Sequence, residues 1–204
     1  MAGGKRLAAA RGAWICFQDE AGQTRRPPRA RTWARRGHPA VVRVSAKGSG
    51  RVSIAGLVCL RPGHRGRLMF RTRVHRGRPG ERRSFSEQDY IALLDQAHQR
   101  LGAALIVVWD NLNTHVSARM RRLIEARRWL TVVRLPGYAP ELNPVESLWA
   151  PLKRGLGNLA VRSLDQLAGT VRDRLRTIQR QPDLIAGFLA QTGMTLEPEP
   201  SWPP

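Results

Sequence analysis

Asp19, Asp110 and Glu146 are the acids of this sequence whose settings suit chemistry on a phosphodiester. The short run Trp14-Ile15-Cys16-Phe17 is apolar and aromatic, which predicts a buried strand ending at Asp19. Leu105-Ile106-Val107-Val108-Trp109 is continuously apolar and stops abruptly at Asp110, as a central strand covered on both faces would. A carboxylate at such a strand end stands at the rim of the core, and if the two strands are neighbours the two carboxylates converge. The third acid lies in YAPELNPVESLW, where Asn143 can cap a helix, Pro144 takes its first position and Glu146 falls in its first turn.

Cleaving a phosphodiester requires charge neutralised on the phosphorus, a nucleophile made from water or a 3′-hydroxyl, and a stabilised leaving oxygen. Two Mg²⁺ ions about 4 Å apart supply all three. Mg²⁺ takes oxygen ligands and keeps several waters, so a few carboxylates suffice. Crowded without cations, three carboxylates repel one another and raise at least one pKa. Each acid also has a plainer reading. Strand-end aspartates commonly bond to loop backbones, and Asn-Pro-x-Glu is a good helix start with no metal. The three together, in a basic chain, are harder to read that way.

The elements that must position these acids follow from periodicity and punctuation. After a polar leader (1–13), residues 22–31 (GQTRRPPRAR) read as a basic, proline-broken loop. Pro39 to Ser45, Ser53 to Leu60 and Arg67 to Val74 are strand-like, with Gly/Pro turns between them, so the first part is an antiparallel meander. Ser86, followed by Glu87, Asp89 and an apolar pattern through Ile91, Leu94 and Ala97, predicts a capped helix. Beyond Asp110 come a basic helix from about Ser117 to Arg128, a strand from Thr131 to Leu135, a helix from Asn143 to Leu156, and helical stretches near 163–179 and 183–191. This is the element order of an α/β, ribonuclease-H-like fold: a mixed five-stranded sheet flanked by helices. The expected division is a catalytic domain over 14–160, C-terminal helices over 161–193 and a proline-rich, disordered tail over 194–204. Element order alone is shared by many α+β domains.

Charge narrows the partner. The 204 residues carry 35 Lys+Arg against 15 Asp+Glu, a net charge of +20. Such an excess repels itself in a compact state and is usually kept for a polyanion, although GC-rich coding also produces an Arg-heavy skew. No apolar run approaches the roughly 20 residues of a membrane span, and a membrane partner is not expected. The start is too short in apolar residues for a signal peptide, so the cytoplasm, at the nucleoid, is the expected location. Cys16 and Cys59 sit in apolar runs with no zinc spacing and read as small buried hydrophobes.

The segments FQDEAG, TWARRGHP, VVWDNLNTH and LPGYAPELNPVESLWAPLK, in unbroken order from Trp14 to Lys153, resemble the successive signatures of bacterial insertion-sequence transposases related to the mariner superfamily. These enzymes have an Asp-Asp-Glu active site. The 35 residues between Asp110 and Glu146 are close to that superfamily's usual spacing. The resemblance implies a ribonuclease-H-like fold, a metal-binding triad of Asp19, Asp110 and Glu146, and Mg²⁺ or Mn²⁺, two ions, as cofactor. It implies an endonuclease that nicks transposon ends and joins their 3′-hydroxyls to target DNA. The expected partners are double-stranded DNA and a second copy of the chain, as a homodimer on DNA. Two departures are visible. Glu141 stands where the family often has Asp, and the few residues before Trp14 leave no room for the family's helix-turn-helix region, so a separate DNA-reading polypeptide is expected.

Residues around the triad have two readings each. Glu20 would point to the opposite face from Asp19 and pair with an arginine. His115 would hold a phosphate or water, or cap a helix or bond a loop; Asn111 and Asn143 would support the site. Lys153, seven residues after Glu146, shares its helix face and would meet a phosphate, or is simply solvated. Trp33 and Trp149 read as packing residues, with base stacking open to an exposed one. The basic loops supply Arg25, Arg26, Arg29 and Arg31, and Arg71, Arg73, Arg76 and Arg78, as phosphate contacts alongside Lys153 and Arg154. The competing functions are a general nuclease of the same fold and a catalytically inactive or domesticated remnant that binds nucleic acid and inhibits or assists an intact transposase.

Overall fold

The computed structural model describes residues 12–38, 41–43, 50–136 and 140–194. Among them the chain forms strands β1 (Trp14–Thr24), β2 (Arg51–Leu60) and β3 (Arg67–His75), helix α1 (Glu87–Leu101), strand β4 (Leu105–Trp109), and helices α2 (Asn113–Val116) and α3 (Ala118–Glu125). Strand β5 (Leu130–Arg134), a 3-10 turn (Pro140–Leu142) and helices α4 (Glu146–Gly155), α5 (Leu164–Gln179) and α6 (Pro182–Ala190) complete it. The sheet order is β3-β2-β1-β4-β5. β1, β2 and β3 form the antiparallel meander, whereas β4 and β5 join parallel to β1, so the sheet is mixed.

The alternation of side chains along the strands divides the core into two layers. Ile15 and Phe17 of β1, Ile54 and Val58 of β2, and Ile106 and Val108 of β4 face α4, α5 and α6, meeting Leu148, Trp149, Leu152, Val171 and Leu175. Trp14, Cys16, Leu57, Cys59, Leu105 and Val107 face the other way, onto Tyr90, Ile91 and Leu94 of α1 and Met120 of α3. The central strands are apolar on both faces because both are covered. Cys16 and Cys59 lie opposite each other across β1 and β2 as free, buried thiols. Burial pushes the Cys16 thiol well up, and the neighbouring Cys59 thiol adds to this.

Local signals account for most helix starts. Ser86 and Asp89 form a reciprocal capping box on α1, Ser117 accepts from the Met120 amide at α3, and Ser163 accepts from the Gln166 amide at α5. Four expectations need correction. β1 does not end at Asp19 but runs on through Thr24, because residues 19–24 stay paired with 51–56 of β2 after apolarity has ceased. The loop read over 22–31 therefore begins at 25. The basic helix is shorter, ending at Glu125 and preceded by the short α2. Of the strand read over 39–45, residues 41–43 form no strand and the rest lie outside the described residues, as do residues 1–11 of the leader and 195–204 of the tail.

Gly56 decides how closely α4 approaches the sheet. It lies opposite Asp19 in the β1–β2 register. A Cβ there would stand 3.0 Å from Trp149, 3.1 Å from Leu148 and 3.2 Å from Val145, tighter than ordinary contact. Replacing Gly56 with Val should lower stability by roughly 1–3 kcal/mol through overpacking, read as the midpoint of urea unfolding. Gly169→Ala in α5, where an added Cβ meets nothing within 4 Å, should hold or slightly raise it. Equal midpoints for Gly56→Val and the unaltered chain would show that α4 does not press on the strand.

Candidate active site

The parallel register carries the two aspartates to one level. Phe17 pairs with Val108 on the last shared rung of β1 and β4. Asp19 and Asp110 each lie two residues beyond it, on strands that neighbour at about 4.8 Å spacing. β4 stops at Trp109 while β1 continues beside β2, and the chain past Asp110 turns away into α2. The two strands are neighbours, and their ends set the two aspartates side by side along the sheet.

Glu146 lies on the first turn of α4, near enough for its charge to raise Asp19. Asn143 fixes that placement with both ends of its buried side chain. Its Nδ2 donates to the Gln18 carbonyl at 3.0 Å, and its Oδ1 accepts from the Val145 amide at 3.1 Å. The helix begins at Glu146 rather than at Asn143, because residues 143–145 form a turn before the regular helix. Glu146 is exposed, and among the described residues its carboxylate makes no hydrogen bond or ion pair, so the capping-box role is not used.

The carboxylates feel one another. Burial raises the Asp19 carboxyl to about 6; the Trp149 indole and the Glu20 amide oppose this, while the charges of Glu146 and Asp110 add to it. Asp110 is held below the usual carboxylate range, first by the His115 hydrogen bond, against partial burial. Trp149 Nε1 donates to Asp19 Oδ2 at 2.7 Å, and His115 Nδ1 lies 2.8 Å from Asp110 Oδ1, which also accepts from the Leu112 amide at 3.1 Å. Among the described residues, no three His, Cys, Asp or Glu side chains are already drawn into a cation cage. The arrangement still fits a hard cation. It offers oxygen donors only, and bound positive charge would relieve the repulsion and burial that raise Asp19.

The remaining residues sort by what they touch. Asn111 donates to the Leu135 carbonyl at 3.3 Å, tying the turn after β4 to the end of β5. His115 is buried, and its Nδ1 lies 2.8 Å from Asp110 Oδ1, the side chain of the residue that follows β4. Trp149 is buried, as expected of a packing residue, but its polar edge reaches Asp19. Trp33 is fully exposed rather than packed. Arg71 and Arg73 lie on β3, not on a loop, and pair with Asp89 at 3.8 and 3.0 Å; Arg76 pairs with Asp165 at 2.7 Å; Arg78 is exposed. Three of these four arginines are paired with acids of their own chain. The other group is better placed. The Asn158 side chain bonds both the amide and the carbonyl of Ala30, at 3.1 and 2.8 Å, and its amide takes the Pro28 carbonyl. This pins the 25–31 segment beside the end of α4, next to the exposed Lys153 and Arg154.

Trp149, Gly56 and Asn158 are the residues that sequence reasoning missed. Gly56 carried a signal, since a lone glycine inside an apolar strand marks a close approach. Trp149 stands three residues after Glu146, on the same helix face, and Asn158 adopts a positive φ of 55° that no sequence pattern announced.

Glu20 makes no ion pair among the described residues, contrary to expectation. Burial first, then Asp19 and Asp110, push its carboxyl up to about 7, with Arg51 only partly opposing, and its Oε1 is buried without a partner. An unfolded chain ionises this group near 4.5. The unfolded state therefore binds fewer protons across the interval up to about 7, and stability is lost as pH rises through it. Glu20→Gln should flatten that loss, raising the melting temperature at pH 8 in metal-free buffer while leaving it nearly unchanged at pH 4. A variant whose pH profile parallels that of the unaltered chain would contradict the assignment.

The family model described as DDE superfamily endonuclease matches residues 14–168. The Tc1 transposase of Caenorhabditis elegans is 33% identical over 69 residues, covering 34% of this chain and 25% of that protein. The Mos1 mariner paired-end complex with Mg aligns with a TM-score of 0.57 at 19% identity, covering 95% of this chain and 60% of that one. The isolated Mos1 catalytic domain aligns at 0.50 and 17%, covering 90% and 84%. The chain thus spans a quarter of Tc1 and little more than half of the Mos1 chain in its DNA complexes. The solved structures establish the ribonuclease-H-like fold, and the family match covers both strands and the helix that carry the three acids. The chain belongs to the DDE superfamily endonucleases.

Proposed function

We propose that this chain is the catalytic domain of a mariner/Tc1-type transposase from a bacterial insertion sequence, which nicks transposon ends and joins their 3′-hydroxyls to target DNA. What supports this reading is that two parallel neighbouring strands and the first turn of a helix carry Asp19, Asp110 and Glu146, with the charges of Glu146 and Asp110 both raising Asp19. These three residues would hold Mg²⁺ or Mn²⁺, as two ions. Bound there, the cations would neutralise charge on the scissile phosphate and make a water or 3′-hydroxyl a competent nucleophile. The protein's own part is positioning. Asn143 sets the height of Glu146 against β1, and Lys153, one heptad further along α4, meets the backbone next to the reacting phosphate. Arg25, Arg26, Arg29, Arg31 and Arg154 carry the duplex beyond it, fixing register without reading sequence. Sequence readout is assigned to a helix-turn-helix polypeptide, and pairing of two ends to a homodimer on DNA.

The test is nicking and joining on DNA bearing the element's ends. Asp19→Asn, Asp110→Asn and Glu146→Gln should each reduce Mg²⁺-dependent nicking more than tenfold while leaving the circular dichroism spectrum unchanged, and their losses should not add. Ca²⁺ should support DNA binding without cutting, since it tolerates looser geometry. Nicking without any joined product would favour a general nuclease. A variant keeping a tenth of the normal rate would remove that residue from the site.

A further inference from the structure

The two strand aspartates are not free to turn. Trp149 is 4% exposed and wedged over Gly56, where an added Cβ would stand 3.0 Å from its Cη2. Its Nε1 reaches Asp19 Oδ2 at 2.7 Å from the α4 layer. His115 is 3% exposed and stacks on Trp109, with centroids 4.3 Å apart and planes 5° from parallel. Tyr90 meets the same imidazole edge-on at 4.7 Å and 76°. From that opposite layer, His115 Nδ1 reaches Asp110 Oδ1 at 2.8 Å. An ionised carboxylate only accepts, so Nδ1 carries the shared proton; an indole N–H can only donate. No side-chain donor among the described residues reaches the other oxygen of either aspartate.

We infer that Trp149 and His115 are positioning residues that clamp one oxygen of Asp19 and one of Asp110 with rigid ring N–H groups, leaving each aspartate a single fixed oxygen for a divalent cation. This rests on Asp19 and Asp110 being the ligands. Simple satisfaction of a buried donor does not explain the Trp149 contact. Trp14 and Trp109 also bury their Nε1 atoms, and among the described residues those two find no acceptor. This core tolerates unpaired indoles, yet the one at Asp19 is paired at short distance. Both donors are planar rings locked by packing, so a carboxylate held by them keeps its direction. Partners that orient metal ligands in this way typically account for 10–100-fold in affinity.

Trp149→Phe and His115→Phe remove the donor and keep a ring. Mn²⁺ binding to the DNA-free chain, followed by the electron paramagnetic resonance of free Mn²⁺, should weaken roughly 10–100-fold in each. His115→Asn, whose amide N–H can stand near the place of Nδ1–H, should recover most of it. The Mn²⁺ concentration giving half-maximal nicking should rise by the same factor. Should a Phe variant not fold, the unaltered protein gives the answer. With ¹⁵N-labelled tryptophan, the Trp149 indole resonance should move on addition of Mg²⁺ while that of Trp14 stays. Unchanged Mn²⁺ affinity in both Phe variants, with Asp19→Asn and Asp110→Asn abolishing binding, would overturn the clamp and leave the ligand assignment intact. A Trp149 indole that does not respond to Mg²⁺ would overturn it likewise. Undiminished binding in both aspartate variants would overturn the ligand assignment and the clamp with it.

Discussion

A single buried carboxamide joins the two halves of the site. Asn143 donates across 125 residues of sequence to the Gln18 carbonyl, while its other end closes the turn from which α4 starts. Gln18 lies one residue past the last rung that β1 shares with β4, so the contact falls where the sheet has begun to open. Any shift of α4 along β1 would break this bond and strand two buried polar groups, a cost of about 1–3 kcal/mol each. The height of Glu146 above Asp19 is therefore set by an interaction that tolerates little sliding. Gly56 sets the depth of the same helix and the Trp149–Asp19 bond sets its rotation.

The sheet supplies what the helix meets. A parallel pair places equivalent residues of two strands side by side, so acids two residues beyond a common rung are brought together by register alone. Ending β4 at Trp109 while β1 continues on β2 opens a gap in an otherwise closed sheet. Asp110 can then be exposed while Asp19 stays half-buried. Their proton affinities accordingly diverge: burial raises Asp19 to about 6, whereas the His115 hydrogen bond holds Asp110 low. Glu20, on the other face of β1, is raised further still, to about 7, with the charge of Arg51 only partly opposing. Acids crowded at one end of the sheet are costly for the metal-free fold, which is the expected signature of a place built to receive positive charge.

Much of this was legible in the sequence, for identifiable reasons. Apolar runs before Asp19 and Asp110 reported buried strands, and Ser86 followed by Glu87 and Asp89 reported a helix start, because both signals are local. What escaped was set by partners distant in the chain. The polar half of β1 is strand only because β2 pairs with it. Asn143 looked like an ordinary cap because its second bond, to Gln18, has no local trace. His115 read as a phosphate, water, capping or loop contact, because its burial depends on Trp109 and Tyr90 packing against it. Arg71 and Arg73 looked free for DNA until Asp89 arrived from α1. Trp149 was read as packing, which its ring does, and only the fold revealed where its N–H points.

The proposed function requires Asp19, Asp110 and Glu146 to act as one cation-binding unit. Its most direct measurement is anomalous diffraction at the Mn absorption edge from crystals of the chain equilibrated with Mn²⁺. The account predicts anomalous density between Asp19 and Asp110, with Glu146 turned toward it and the Trp149 and His115 bonds retained on the opposite oxygens. Mn²⁺ bound elsewhere on the molecule, with no density between the two strand ends, would contradict it.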